Sequence, residues 1–181
     1  MSFAAGAILT LLTMPLAAGQ QPAQPADPWE RVRSLLGSWE GTQAGRPGSG
    51  TVRRQYQLVL RDQFIEVRNT STYPPQEKNP KGEAHDDIGY ISYDRARKRL
   101  VLRQFHVERF VIQYVGEIES TSGRLVFVSE AIENIPPGWR ARETYIVHGP
   151  DEFEEIFELA EGDKPFEFYS RARLKRVPES R

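Results

Sequence analysis

Between Leu35 and Val177 the chain runs as ten short segments of strand-forming residues, most alternating apolar with polar, each closed by turn-forming residues. They occupy 38–44, 50–60, 63–72, 87–93, 99–107, 110–119, 124–132, 139–148, 152–160 and 165–176. Val, Ile, Phe, Tyr and Thr are frequent in them, as suits a pleated, half-buried surface. Several links are tight: Arg61-Asp62, Asp94-Arg95-Ala96-Arg97-Lys98, Ser120-Thr121-Ser122-Gly123, Gly149-Pro150-Asp151 and Glu161-Gly162-Asp163-Lys164. So short a link forces the next strand to pair antiparallel with the last. An even-numbered meander can bring its final strand back to its first and leave no edge exposed. The expected fold is therefore all-β, a ten-stranded antiparallel up-and-down β-barrel. Ten strands enclose more room than the side chains of a small barrel fill. A Greek-key sandwich is the structural rival; it needs a long crossover, and only residues 73–86 offer one.

Ahead of the first strand, Asp27-Pro28-Trp29-Glu30-Arg31-Val32-Arg33-Ser34-Leu35-Leu36-Gly37 predicts a helix over 28–36. Asp27 can cap it, Pro28 fits its first position, and Gly37 ends it. Trp29, Val32, Leu35 and Leu36 share one face. Residues 1–19 hold an apolar run, a helix-breaking Pro15 and then small residues through Gly19, the pattern of a cleaved signal peptide. Residues 20–27, rich in Gln, Pro and Ala, read as a disordered linker. The barrel domain is placed at 28–177, and the expected location is periplasmic or secreted. A net charge of −1 with interleaved signs argues against a nucleic-acid surface. With no cysteine, thiolate metal sites, thiol catalysis and disulfides are all excluded.

Strand parity separates the two ends of such a barrel. If the end where strand one begins is the base, odd-to-even links fall at the far end. These include 45–50, the long segment 73–86 and 133–138. The base receives mostly tight turns, together with the helix. A cup follows, closed at the base by the helix and open at the far end, with Pro74-Pro75 and Pro136-Pro137 stiffening its rim.

The string Leu35-Leu36-Gly37-Ser38-Trp39-Glu40-Gly41 resembles the Gly-x-Trp signature of the calycin superfamily, which holds the lipocalins and fatty-acid-binding proteins. It is closer still to nitrobindin-like haem-binding barrels and related bacterial proteins of unknown function. The resemblance implies a ligand-binding barrel in which an Arg from the last strand packs over Trp39 and closes the base. Strand ten carries Arg171, Arg173, Lys175 and Arg176, and Arg171 and Arg173 are taken as the closing residues. Kinship implies haem or a fatty acid as ligand. However, Asp151 to Arg181 contains no His to serve as the C-terminal haem ligand, and an Arg-x-Tyr carboxylate clamp is missing from the last strand.

Polar residues that interrupt the strands mark the candidate ligand contacts. They are Arg54, Tyr56, Arg68, Gln104, His106, Gln113, Arg142, Glu143 and Tyr145. His106 is a candidate haem-iron ligand or polar anchor near the mouth. Glu143, if inward, is a buried carboxylate needing a partner such as Arg54, Arg68 or Arg142. A period-two pattern does not itself choose the inward face. Glu83, His85, Asp86 and Asp87 form an acidic patch that reads as a solvated rim loop. No linear enzyme signature is present. Three readings stay open: an exported carrier of a small hydrophobic or amphipathic molecule, monomeric or homodimeric and without membrane insertion; a haem barrel with redox or reactive-nitrogen chemistry; and a barrel filled by its own aromatics that serves as an interaction module.

Overall fold

The structure is a computed structural model, and it describes residues 28–77, 79–119 and 121–178. The signal peptide expected over 1–19 and the linker over 20–27 lie outside the described residues. A short helix α1 (Pro28–Arg33) precedes ten strands: β1 (Gly37–Gly45), β2 (Gly48–Val59), β3 (Phe64–Tyr73), β4 (Glu83–Asp94), β5 (Arg99–His106), β6 (Val111–Ile118), β7 (Leu125–Glu133), β8 (Trp139–Gly149), β9 (Glu152–Glu161) and β10 (Glu167–Arg176). Each strand pairs antiparallel with its neighbours in sequence, and β10 pairs with β1 to close the barrel. The sandwich alternative is thereby excluded. Closure runs from Trp39↔Arg176 at one end to Gly45↔Ser170 at the other.

Alternation along the strands sorts the side chains. Ile65, Val67, Ile91, Leu100, Leu102, Phe127, Phe153 and Leu174 are buried in one core cluster. Phe153 sits at its centre, with its ring edge-on to Trp39 at 4.7 Å and to Tyr56 at 6.3 Å. Val32 and Leu35 join the same cluster from α1 and the residues just after it. On the inner face of β6, Gly116 leaves room for the Phe127 ring, which any Cβ there would strike. The base half of the barrel is therefore filled by its own aromatic and aliphatic side chains.

The base is tied by Trp39 and by Arg176, not by Arg171 or Arg173. Trp39 Nε1 donates to the Leu35 carbonyl at 2.7 Å, and the Arg176 guanidinium lies 4.2 Å from the indole centre. Arg176 also donates to the carbonyls of Leu36, Ser34 and Pro150, at 2.5, 3.0 and 2.8 Å. Arg171 and Arg173 alternate onto the outer face, where both approach Glu154. The register explains the correction. Ala172 and Leu174 are the small and apolar members of β10, so they mark its inner face, and Arg176 continues that face beside Trp39.

The largest departure from expectation lies in β4. Residues 83–86 belong to the strand, not to a solvated loop, because β4 pairs with β3 as far as Tyr73↔Glu83. His85 and Asp87 thus fall on the same inner face as Gly89 and Ile91, while Asp86 points outward and accepts from Thr70 Oγ1 at 2.7 Å. At the same end, pairing of β7 with β8 stops at Val128↔Arg142. Beyond that point Ser129 Oγ accepts from the Ala141 N–H at 2.8 Å.

Candidate functional site

The half of the barrel that the core leaves unfilled is a cavity of about 460 Å³. It lies at the end that strand parity assigned to the longer links: Pro47, Tyr73, Glu83, Glu108, Phe110, Ile135 and Pro136 are all at its edge. Its volume falls within the range of small-molecule sites, roughly 300–1,000 Å³. Two kinds of surface line it. Phe110, Ile112, Ile132, Trp139, Phe157 and Leu159 form an apolar wall. Arg54, Asn69, Asp87, Gln104, Tyr114, Glu143 and Glu155 form a polar layer where the cavity meets the core.

That layer is organised around one buried ion pair. Arg54 on β2 reaches across the lumen to both carboxylate oxygens of Glu155 on β9. The side chains are only 6% and 8% exposed, so neither charge is left to water. Arg54 Nε also donates to Asn69 Oδ1 at 3.2 Å, and Asn69 Nδ2 donates to Asp87 Oδ2 at 2.8 Å. Tyr145 donates its hydroxyl proton to Glu143 at 2.8 Å; burial raises the Glu143 carboxyl above its ordinary range, against the nearby Arg54 charge. Nearer the mouth, Ser71 donates to Gln43, which donates in turn to Ser170, linking β3, β1 and β10.

Among the described residues, Asp87 Oδ1, Gln104 Oε1 and His106 Nε2 are buried without a hydrogen-bond partner, and Tyr114 Oη has at most the Glu143 carboxyl beside it. All four atoms belong to residues that line this cavity. A buried, unsatisfied polar group costs about 1–3 kcal/mol, so folded proteins supply it with a partner. Such groups converge here on one hollow.

His85 and His106 stand together at one side of the cavity. His85 Nδ1–H donates to Glu108 at 2.7 Å; its Nε2 lies 3.5 Å from Asp87 Oδ2 and 3.3 Å from His106 Nδ1. The hydrogen bond to Asp87, helped by Glu108, pushes the His85 pKa up to about 9, so it is an imidazolium at neutral pH. Burial drives His106 down to about 4, and the neighbouring His85 charge acts in the same direction. With a donor facing Nδ1, neutral His106 is assigned its proton on Nε2, the atom without a partner. Its ring stacks on Phe110 at 4.1 Å.

The residues singled out from the sequence divide into three groups. Arg54, Gln104, His106 and Glu143 line the cavity. Tyr56 and Tyr145 point inward but are buried in the core beside Phe153. Arg68, Gln113 and Arg142 are on the outer face: Arg68 bonds Glu66, Gln113 bonds Arg103 and Glu130, and Arg142 bonds Glu158. Sequence reasoning passed over Asn69, Tyr114 and Glu155, and it left His85 and Asp87 in solvent. For Glu155 a signal existed, since it shares a strand face with Phe153 and Phe157.

No protein-family model matches the chain, and no curated protein matches it. Among solved structures, it is similar to Rv2717c from M. tuberculosis, with a TM-score of 0.62 at 19% identity over 82% of this chain and 96% of that one. This likeness shows the fold. A de novo designed fluorescence-activating β-barrel matches with a TM-score of 0.41 at 14% identity, covering 80% of this chain and 95% of that one. The barrel EF1p2_mFAP2b, bound to DFHBI, matches with a TM-score of 0.43 at 11% identity, covering 81% and 96%.

Proposed function

We propose that this protein is an exported calycin-like carrier, sealed at its base by α1, that binds a small neutral or cationic amphipathic molecule in the mouth half of its barrel. The carrying observation is the set of unpartnered polar atoms on Asp87, Gln104 and His106, placed beneath an apolar wall. Apolar ligand surface buried against that wall supplies affinity at about 25 cal/mol per Å², and the polar layer fixes orientation. The Gly37-Ser38-Trp39 motif with Arg176 over the indole supports the calycin reading. The apolar run and small residues of 1–19 support export.

Charge narrows the ligand class. The lining carries five carboxyl side chains, on Glu83, Asp87, Glu108, Glu143 and Glu155, against Arg54 and the His85 imidazolium. Even with Glu143 protonated, carboxylates outnumber cations. Arg54 is already matched by Glu155, so no guanidinium is free to clamp a ligand's carboxylate. Fatty acids are therefore disfavoured.

Haem fits these residues poorly as well. A ligating imidazole holds its other N–H toward an acceptor. Here His106 Nδ1 faces the donor His85, which places the proton on the nitrogen that iron would need. The carboxylate-rich lining would also oppose the two propionates.

A matched series of decylamine, decanol and decanoate tests the charge argument by calorimetric titration. Decanol and decylamine are expected to bind in a 1:1 ratio, and decanoate at least about tenfold more weakly, a difference of about 1.4 kcal/mol. Preference for decanoate would overturn this assignment of the ligand class.

A further inference from the structure

We propose that His85, Asp87 and His106 form a divalent-metal site on the cavity wall, taking a first-row transition cation such as zinc(II) or iron(II) through His85 Nε2, His106 Nδ1 and the Asp87 carboxylate. The inference stands apart from the carrier reading, because the metal alone tests it. Candidate ligand atoms of the three residues lie within 4.8 Å of one another. His85 Nε2 is 3.3 Å from His106 Nδ1 and 3.5 Å from Asp87 Oδ2. Metal–ligand bonds of about 2.1 Å at tetrahedral angles place neighbouring donors about 3.4 Å apart, so these edges already have the length a bound cation requires.

The surroundings of His85 and Asp87 point the same way, whereas His106 Nε2 has no outer partner. A ligating histidine characteristically donates its second ring N–H to a carboxylate, and His85 Nδ1 does so to Glu108 at 2.7 Å. A ligating carboxylate is itself held by a donor, and Asn69 Nδ2 holds Asp87 at 2.8 Å. The Asp87 side chain is only 4% exposed; its Oδ2 is the oxygen near His85, and its Oδ1 is buried without a partner.

Backbone geometry fixes the set. Asp87 and His106 are directly opposite in the β4–β5 pairing, and His85 is the next inward residue along β4. Sites on paired strands hold their geometry better than sites on loops. Two histidines with one carboxylate leave coordination positions open, here toward the cavity, for water or for an oxygen or nitrogen donor of a bound guest.

The test is zinc(II) titration of the metal-stripped full chain in competition with a chromophoric chelator, with cobalt(II) absorption as a second readout. The expected result is one equivalent bound, with ligand-field bands in the visible from the cobalt form. Asp87→Asn and His106→Phe should each weaken zinc by about 100-fold or more, while Glu83→Gln leaves it unchanged. Asp87→Asn preserves shape, and His106→Phe preserves the stack on Phe110, so circular dichroism melts should confirm folded protein in both. Absence of stoichiometric zinc would overturn the proposal. So would a site lost in Glu83→Gln and kept in His106→Phe, because the cation would then belong to the more exposed group of Glu83, His85 and Glu108.

Discussion

Replacing Trp39 with Ala is expected to destabilise the protein by about 3–5 kcal/mol, read as a fall in the denaturation midpoint at unchanged slope. The indole is 2% exposed, stands edge-on to Phe153 at 4.7 Å, and donates its only proton to Leu35. Its loss empties the base of the core and strands the Leu35 carbonyl. Because the Arg176 guanidinium covers the ring and ties three backbone carbonyls, Arg176→Ala should cost about 2 kcal/mol. Arg171→Ala and Arg173→Ala, both on the outer face, should each stay within about 0.5 kcal/mol. Equal effects from all three arginines would contradict the assignment of Arg176 as the residue that ties the base.

Glu155→Ala is expected to cost about 3–5 kcal/mol, because it leaves the Arg54 guanidinium buried without its counter-charge. The pair is not in itself a large source of stability, since taking two ions out of water offsets most of their attraction. The double variant Arg54→Met with Glu155→Leu should therefore melt at or above the parent while altering ligand preference. A single Glu155→Ala variant as stable as the parent would mean that water reaches Arg54 and that the pair is not shut away from solvent.

Much of this barrel was legible in its sequence, because most strands alternate and most links are short. The ten runs and the observed strands differ mainly at their ends. Parity put the longer links at the end where the cavity lies. The failure over 83–86 has a physical cause: where a strand crosses a polar cavity, its inward residues are Glu83, His85 and Asp87, so hydrophobic alternation disappears. The segment then looks like a loop, although its backbone pairs fully with β3. The same ambiguity misplaced Arg68. In β3 the inner face carries Asn69 and Ser71 beyond Val67, and the outer face carries Glu66 and Arg68, so both faces are mixed. Glu155 and Arg54 lie on strands far apart in sequence, and only the closed topology brings them together across the lumen. Local patterning therefore revealed the walls, and the lining had to come from three dimensions.

The central claim is that the mouth half of this barrel is hollow and takes a guest. Fluorescence titration with Nile red, a neutral dye that brightens and shifts to the blue in apolar surroundings, tests it most directly. The account requires saturable 1:1 binding that is abolished when Ile112→Trp fills the cavity wall and leaves the fold intact. Absence of saturable binding, or a titration that Ile112→Trp does not change, would contradict it.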